Sequence, residues 1–342
     1  MNTSLVQVYA TDPTTSTRFT RVIASNNESI ITEQLLDDKI VAMKEVRGQD
    51  TTWLSEVSFM QMFSHPNIVD LLAIVVNPVA PFAPNLILER AQSDLLDYGV
   101  IDLQMVYQMT MGLAHLHSLG YIHGDVKPDN YFIFSDGTIK LADFGLTVPE
   151  IYARKGIPAY TSDYRPPEVV EAVASDIWAL GVTILTIVAG ERIFVQKTND
   201  VWLPLFESDD GAIEPSNFYV VANEQLDKID KPLQHLTKEM IRWNPIDRLT
   251  ARQILLGIQS NDDIPAIYSR NKVLELKTIP YPTPTFKGIV TERVRQVLLN
   301  WLYDVCQMFY RTGWNEKRLF FMAACLYRLH FDSAISRNRY RL

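Results

Sequence analysis

The chain of 342 residues is long enough for one large domain or two ordinary ones, and 47% hydrophobic residues allow a packed core. A formal charge of −8 argues against the basic surface that binds nucleic acid, so we expect no nucleic-acid partner. Two cysteines are too few for a disulfide framework, which favours a reducing compartment.

The hydrophobic segments do not predict a membrane protein. The N-terminal sequence "MNTSLVQVYATDP" is polar and lacks the apolar region of a signal peptide. The longest apolar run, Ile177–Gly190, is too short to span a bilayer and is typical of a buried helix. We therefore expect a protein of the cytoplasm or nucleus that has no membrane partner.

Up to about Glu89 the pattern is typical of strands, with one helical interruption. Lys39–Val46 is rich in β-branched residues and predicts a strand. Trp53–Phe63 has apolar residues at positions 54, 57, 60 and 63, which is the spacing of an amphipathic helix. The stretches "LLAIVV" and "NLILE" then predict two buried strands.

From Ser93 onward the pattern predicts mostly helices. The stretch "LQMVYQMTMGLAHLHSLG" has helical periodicity and ends in glycine. The stretch "YFIFSDGTIKLADF" predicts a hairpin that turns at Ser135–Gly137. Three more helices are predicted, at Ser175–Ala189, Leu233–Arg242 and Ala251–Ile258. A small β-rich lobe followed by a larger helical lobe is an α+β arrangement.

The last part of the chain has a different character. Residues 259–288 are irregular and include "IPYPTPTFKG", which is rich enough in proline to form a stiff linker. Two helices are predicted after this linker, at Thr291–Tyr310 and Glu316–His330.

The stretch "HGDVKPDN" contains side chains that phosphoryl transfer requires. This chemistry needs a base for the attacking hydroxyl, positive charge near the phosphates and ligands for metal ions. Asp125 is the candidate base, Lys127 can steady the γ-phosphate, and Asn130 is a candidate metal ligand.

The remaining parts of such a site lie elsewhere in the chain. Asp143 in "ADFG" is the second candidate ligand for Mg²⁺, and Lys44 in "VAMK" can contact the α- and β-phosphates of ATP. Glu56, on the helix after that strand, can pair with Lys44. Each motif is weak alone, but their order and spacing together predict a protein kinase fold that uses ATP and Mg²⁺.

The chain resembles the cyclin-dependent kinases from about residue 20 to 258. The resemblance is carried by "TTWLSEVSFMQMFSHPNIVDLL", "LADFGL", "YRPPE", "SDIWALG" and "NPIDRLT". It implies a bilobal kinase domain over residues 1–258, with an N-lobe to about residue 89 and a C-lobe over 92–258. It also implies protein substrates, and the DxKPxN form of the catalytic loop implies serine or threonine as the acceptor.

The resemblance also implies roles for residues that the pattern alone does not single out. Leu88 is expected to be the gatekeeper, the backbones of Glu89 and Ala91 to bind adenine, and Asp94 to lie near the ribose. Asp176 is expected to be structural. Two further expectations concern the activation segment: Glu168 pairs with Arg248 in a buried ion pair, and Arg165 helps to form a pocket for a proline after the acceptor.

The phosphate-covering loop departs from the family. A gapless alignment from Lys44 puts Val22, Ala24 and Asn27 where the three glycines belong. Side chains there hinder the close approach of backbone N–H groups to phosphates. Because Lys44, Asp143 and Mg²⁺ can hold the phosphates from the other side, we expect Val22 to cover nucleotide still. The alternative is a pseudokinase that acts as a binding scaffold.

Gly124 is the second departure, since the family has an arginine there that helps to grip a phosphothreonine. The two other arginines of that grip fall at Ser55 and Val148, and the phosphothreonine falls at Gly156. All the partners of one electrostatic switch are therefore missing, while the candidate catalytic residues remain. We expect an enzyme that is active without phosphorylation of its activation segment.

The third departure is the C-terminal segment 289–342, which resembles the first two helices of a cyclin box. Arg295, Trp301, Leu302 and Asp304 match that pattern. The segment is too short for a complete box, and three interpretations stay open: a built-in activator, a docking surface for a separate cyclin-like regulator, or a helical extension packed on the kinase lobe. A compact kinase of this kind would also suit a large DNA virus.

Overall fold

In the computed structural model the described residues are 7–9, 21–25, 29–46, 52–62, 64–75, 84–150, 161–168, 172–198, 201–206 and 215–260. Asn27, Gly156, the linker beyond residue 260 and the cyclin-like segment 289–342 lie outside them. The described part of the chain divides into two compact units. The first contains the residues up to Ser64 together with Asp70–Arg90, and the second contains His65–Val69 and the residues from Ala91 onward.

The first unit is a six-stranded sheet with one helix. In space the strands follow the order β1-β5-β6-β4-β3-β2, and all neighbours are antiparallel except β1 and β5. The elements are β1 Gln7–Tyr9, β2 Arg21–Ser25, β3 Ser29–Leu36, β4 Lys39–Val46, α1 Thr52–Met62, β5 Leu71–Val75 and β6 Asn85–Glu89. The β-rich N-terminal lobe predicted from the sequence is therefore confirmed.

The centre of this sheet is formed by β4 and the strands beside it. β-Branched and other apolar side chains suit a pleated, buried surface. Five of them form one buried cluster: Val41, Met43, Ala73, Val75 and Ile87. β4 thus lies at the centre of the sheet, which gives its lysine a rigid support.

The second unit is mostly helical. Its helices are α2 Leu95–Tyr98, α3 Leu103–Ser118, α4 Val173–Ala189, α5 Pro215–Leu226, α6 Lys231–Met240 and α7 Ala251–Ser260. Asp102 caps α3 by accepting a hydrogen bond from the Met105 backbone N–H at 2.7 Å. The four helices predicted between Ser93 and Ile258 are present, whereas α5 and the short α2 were not predicted. The two helices predicted at Thr291–Tyr310 and Glu316–His330 lie outside the described residues.

Helix α4 forms the core of this unit. Its side chains are buried from Ser175 to Ile187, as expected of a helix that is hydrophobic on nearly every face. It ends at Gly190, whose left-handed backbone (φ 74°) lets its N–H bond the carbonyls of Thr186 and Ile187. No helix among the described residues is long and apolar enough to cross a membrane.

Three small antiparallel sheets complete the second unit. Their strands are β7 Ser93–Asp94, β8 Tyr121–Ile122, β9 Tyr131–Ile133, β10 Ile139–Leu141, β11 Val148–Pro149, β12 Val195–Thr198 and β13 Val201–Pro204. Strands β9 and β10 form the predicted hairpin around Ser135–Gly137. β8 pairs with β11, and β12 pairs with β13 in a hairpin that was not predicted. The loop with Asp125 therefore follows β8, and Asp143 follows β10, so short paired strands fix the start of both segments.

Two histidines stack on each other in the second unit. The rings of His65 and His115 lie 4.8 Å apart at an angle of 22°. His65 Nδ1 accepts a hydrogen bond from the Asn67 backbone N–H at 3.0 Å. Burial, and to a smaller extent His115, lower the pKa of His65 to about 4, and burial also lowers the pKa of His115. Both rings are therefore neutral near pH 7.

This pair is expected to make the fold sensitive to acid. Because its folded-state pKa is depressed, His65 favours folding at neutral pH and loses that contribution as the pH falls from 6.5 towards 4. His65→Asn keeps a hydrogen-bond acceptor but removes the titration. We expect the loss of stability between about pH 7 and pH 5 to be smaller by about 1 kcal/mol in this variant, after allowance for solvent screening.

Thermal unfolding at several pH values measures the effect. His235→Asn removes a histidine from the exposed face of α6 and serves as the matched control. If both variants kept the acid sensitivity of the unsubstituted protein, the stacked pair would not be its origin.

Candidate active site

The lysine predicted to contact phosphates lies on β4. Lys44 is in register with Ile31 of β3 and Leu86 of β6, so neighbouring strands fix its backbone on both sides. Its Nζ donates to Glu56 Oε1 at 3.0 Å and Oε2 at 2.8 Å. Glu56 lies on α1 and is only 3% exposed, and this ammonium group compensates for the charge of its buried carboxylate. The structure thus brings together the two residues that the sequence paired.

The hairpin of β2 and β3 corresponds to the phosphate-covering loop. Val22 pairs with Thr32, Ala24 pairs with Ile31, and the register shifts between them, as in a β-bulge. Val22 is 59% exposed, and Ala24 is exposed too. Two side chains therefore stand on an exposed strand at positions where the family has glycine.

The residues expected to bind adenine are at the end of β6 and just after it. Leu88 pairs with Ala42 in the sheet. The Glu89 carboxylate accepts a hydrogen bond from the Asp70 backbone N–H at 2.9 Å. Because that side chain is held by the first unit, the backbone of Glu89 has a fixed orientation. Ala91 is half-buried at the start of the second unit.

Asp94, expected near the ribose, caps the short helix α2. Its Oδ1 accepts a hydrogen bond from the Asp97 backbone N–H at 2.8 Å. Burial raises the pKa of Asp94, while the N–H groups of Asp97 and Leu96 partly oppose this shift. Its cap bond and its partial burial hold the carboxylate in one place.

The catalytic loop is anchored on a buried carboxylate of α4. Asp176 Oδ2 accepts hydrogen bonds from the His123 backbone N–H at 2.8 Å, and Oδ1 accepts one from the Gly124 backbone N–H at 3.0 Å. The His117 ring also contacts Oδ2, at 2.9 Å. Asp176 has no exposed surface, so these bonds compensate for its desolvation. The loop that precedes Asp125 is thereby fixed to the core.

Asp125 collects donors from three side chains. Lys127 Nζ donates to Asp125 Oδ2 at 2.5 Å, and Asn130 Nδ2 donates to the same oxygen at 3.0 Å. The hydroxyl of Thr161 donates to Oδ1 at 2.8 Å. Lys127 also reaches the Thr161 hydroxyl at 3.3 Å. The three residues predicted from "HGDVKPDN" therefore share one site.

Thr161 is the residue that sequence reasoning missed. It lies in the activation segment, seven residues before Glu168, among several hydroxyl-bearing residues in "AYTSDY". Nothing in that spacing distinguishes it from its neighbours. Its contact with Asp125 spans 36 positions of the chain and depends on the tertiary fold.

The segment of Asp143 is tied to the same loop. Asp143 has a left-handed backbone (φ 61°), a conformation that aspartate tolerates better than most side chains. On one side, the Ala142 backbone N–H donates to the carbonyl of Asn130 at 2.9 Å. On the other side, Phe144 is fully buried and packs edge-on against His123 at 5.3 Å. The hydrogen bond between Ala142 and Asn130 thus holds Asp143, the second expected metal ligand, close to Asn130, the first.

His123 forms the middle of this arrangement. Its Nε2 contacts the Ala142 carbonyl at 3.0 Å, and its Nδ1 accepts a hydrogen bond from the Asp125 backbone N–H at 3.2 Å. Burial lowers the pKa of His123, although nearby carboxylates oppose the shift. A neutral ring with a proton on Nε2 satisfies both contacts.

The donor set fits Mg²⁺ bound to a nucleotide. The Asn130 side-chain nitrogen, Nδ2, donates hydrogen bonds to the carbonyl and to the carboxylate of Asp125. The side-chain oxygen of Asn130 is therefore the atom that can bind a cation. Together with the Asp143 carboxylate it offers the hard oxygen ligands that Mg²⁺ prefers, with phosphates and water as the other ligands. In the described part of the chain no group of three or more His, Cys, Asp or Glu side chains forms a metal site.

The predicted ion pair of Glu168 and Arg248 is also present. Arg248 Nη1 donates to Oε1 at 2.6 Å, and Nη2 donates to Oε2 at 2.7 Å. The Arg248 side chain has no exposed surface, and it lies 4.9 Å from the centre of the Trp178 ring. The end of the activation segment is thereby attached to the helical core.

Comparisons with known proteins agree with this geometry. A family model, the protein kinase domain, matches residues 32–256. A probable cell division protein kinase of Encephalitozoon cuniculi is 28% identical over 232 residues, which cover 64% of this chain and 84% of that protein. Cyclin-dependent kinase F-3 of Oryza sativa is 30% identical over 263 residues, which cover 64% of this chain and 58% of that protein.

Cyclin-dependent kinase 17 of Caenorhabditis elegans is 28% identical over 261 residues, which cover 64% of this chain but 38% of that protein. The last two matches therefore span less than two thirds of those relatives. The family model, in contrast, matches more than half of this chain and includes strands β4, β5 and β6 and the catalytic loop, whereas β1 and β2 precede the matched residues. The chain belongs to the protein kinase family.

Proposed function

We propose that this protein is a Mg-ATP-dependent serine/threonine kinase of the cyclin-dependent type, acting on protein substrates in the cytoplasm or nucleus. The observation that carries the proposal is the Asp125 carboxylate, which accepts bonds from Lys127, Asn130 and the hydroxyl of Thr161. A carboxylate that already binds an aliphatic hydroxyl at 2.8 Å suits the orientation of a serine or threonine acceptor.

Each remaining residue has a role in this reaction. ATP supplies the phosphoryl group, and bound Mg²⁺ neutralises its charge. Asp125 is the base for the acceptor hydroxyl, and Lys127 offsets negative charge near the γ-phosphate. The Lys44 ammonium group, which pairs with Glu56, would contact the α- and β-phosphates. Asn130 and Asp143 would hold the metal.

Four residues are assigned to the nucleotide. Val22 would cover the phosphates, the backbones of Glu89 and Ala91 would bind adenine, and Asp94 would lie near the ribose. For the protein substrate, we assign Arg165 to a pocket that favours proline after the acceptor. These assignments rest on the resemblance to cyclin-dependent kinases.

A pseudokinase scaffold is the second candidate. The hairpin with Val22 and Ala24 favours it, since side chains replace glycine on the strand that would cover the phosphates. A scaffold of this kind would keep the fold and bind partner proteins without transferring phosphate. Its thermal unfolding would not shift with Mg-ATP.

Phosphate transfer from labelled ATP decides between the two. The full chain is incubated with Mg-ATP and a mixture of protein substrates, and the labelled amino acids are identified. We expect phosphoserine and phosphothreonine, stabilisation by Mg-ATP, and strongly reduced transfer by Lys44→Met. No transfer together with no stabilisation would contradict the kinase proposal, and labelled tyrosine alone would contradict the acceptor assignment.

Activity without phosphorylation of the activation segment is part of the proposal. Backbone contacts hold the start of that segment: Val148 pairs with Ile122, and the Glu150 N–H donates to the Gly120 carbonyl at 2.8 Å. Gly124 supplies no cation for a phosphate. In the same assay, phosphatase treatment is expected to leave the rate unchanged. A rate that requires phosphorylation within residues 147–161 would contradict this.

The segment 289–342 is proposed to act as an activator in cis. Cyclins press on the helix that carries the glutamate of the lysine–glutamate pair, here α1 with Glu56. A tether of about thirty residues gives an effective concentration in the millimolar range, which favours docking of even a weak interface. Deletion of the segment is expected to lower the rate. Unchanged activity would contradict the role in cis, and rescue by an added cyclin would favour a regulator in trans.

A further inference from the structure

Gly124 has an unusual backbone conformation for a position next to a catalytic base. Its φ is +79°, in the left-handed region that side chains other than glycine rarely adopt. Other described glycines share this conformation, among them Gly137 in the turn between β9 and β10, with the same φ of +79°. Backbone conformation alone therefore does not set Gly124 apart.

The space around Gly124 does set it apart. A Cβ atom at this position would lie 3.1 Å from the carbonyl oxygen of Leu146, whereas a Cβ at Gly137 would meet nothing within 4 Å. Leu146 ends the 3-10 turn Phe144–Leu146, which directly follows Asp143. Gly124 thus lies against the segment that carries an expected metal ligand.

The backbone of Gly124 also has a fixed partner on its other side. Its N–H donates to Asp176 Oδ1, while the N–H of His123 donates to Oδ2. Asp176 is buried in α4, so the loop cannot move away from the Leu146 carbonyl without stretching these bonds. A side chain at position 124 would therefore push on the Asp143 segment or on Asp125.

We propose that Gly124 is a positioning residue: its missing side chain lets the catalytic loop and the Asp143 segment pack together without backbone strain. This inference rests on the proposed kinase function. The missing side chain avoids this strain whether or not the activation segment is phosphorylated, which deepens the account of activity without phosphorylation.

The test compares Gly124→Ala with Gly137→Ala in the full chain. Both variants place alanine at φ +79°, so a general effect of backbone strain on thermal stability is expected in both. Only Gly124→Ala is expected to lower kcat, by about tenfold, with KM for ATP within about twofold of the unsubstituted value. Equal kcat in the two variants would overturn the proposal.

A third variant separates the contact from the backbone conformation. Asparagine tolerates the left-handed conformation better than alanine but still carries a Cβ. Gly124→Asn is therefore expected to recover thermal stability and to remain as slow as Gly124→Ala. Full activity in Gly124→Asn would overturn the role of the Leu146 contact.

Hydrogen exchange tests the positioning role independently of catalysis. The amides of Phe144–Val148 are expected to exchange faster in Gly124→Ala but not in Gly137→Ala. If the unsubstituted protein transferred no phosphate, the kinase proposal would fail while this comparison still tested the packing. Unchanged exchange in Gly124→Ala would overturn the positioning role even in an active kinase.

Discussion

Replacing Asp125 with asparagine is expected to lower kcat for protein phosphorylation by about a thousandfold. Asparagine is nearly the same size, but it cannot accept the proton of the acceptor hydroxyl. Its amide nitrogen would also face donors, because both carboxylate oxygens now accept hydrogen bonds from Lys127, Asn130 and Thr161. The effect is measured as kcat in steady-state assays that follow the formation of phosphorylated peptide or protein.

A matched variant controls for the lost charge. Asp136→Asn removes one carboxylate from the exposed turn between β9 and β10, and Asp136 has no assigned role in catalysis. It is expected to leave kcat within about twofold. Stabilisation by Mg-ATP should persist in both variants, since neither replaces Lys44. If Asp125→Asn kept more than about a tenth of the activity, its role as the base would be wrong.

Replacing Arg248 with methionine is expected to destabilise the protein by about 3–5 kcal/mol. The substitution leaves Glu168 without its bidentate partner and removes the cation from above the Trp178 ring. It also removes the donor for three backbone carbonyls, those of Ala174, Arg242 and Trp243. The result is a half-buried carboxylate without its cation and three carbonyls that have lost a donor.

Urea unfolding of the full chain measures this loss, with Arg242→Met as the control. Arg242 pairs with Glu239 at the end of α6, but its side chain is 55% exposed. An exposed pair of this kind contributes about 0–1 kcal/mol, so the control should change little. If the two variants lost equal stability, the buried pair would not anchor the activation segment.

Spacing in the sequence predicted the residues that lie on one short stretch. Asp125, Lys127 and Asn130 are within six positions, so the loop that joins them leaves little freedom in their arrangement. The pairing of Lys44 with Glu56 was also predicted, because a strand and the following helix bring them together. Thr161 was not, since its approach to Asp125 depends on the path of the whole activation segment.

Two missed elements had signals in the sequence. In α5 the buried residues Phe218, Ala222, Gln225 and Leu226 follow the spacing of a helix face, but one of them is polar and weakens the pattern. The strands β12 and β13 are separated by Asn-Asp, a pair typical of turns. The stacking of His65 on His115 had no signal, because it joins a loop to a distant helix.

The crowded carboxylate of Asp125 limits what it can bind next. A carboxylate has about four positions at which a donor can approach. Among the described residues, Lys127 and Asn130 occupy two of them on one oxygen, and Thr161 occupies a third on the other. About one position is left, enough for a single incoming hydroxyl. An acceptor hydroxyl and a water molecule would therefore compete for the same position on this carboxylate.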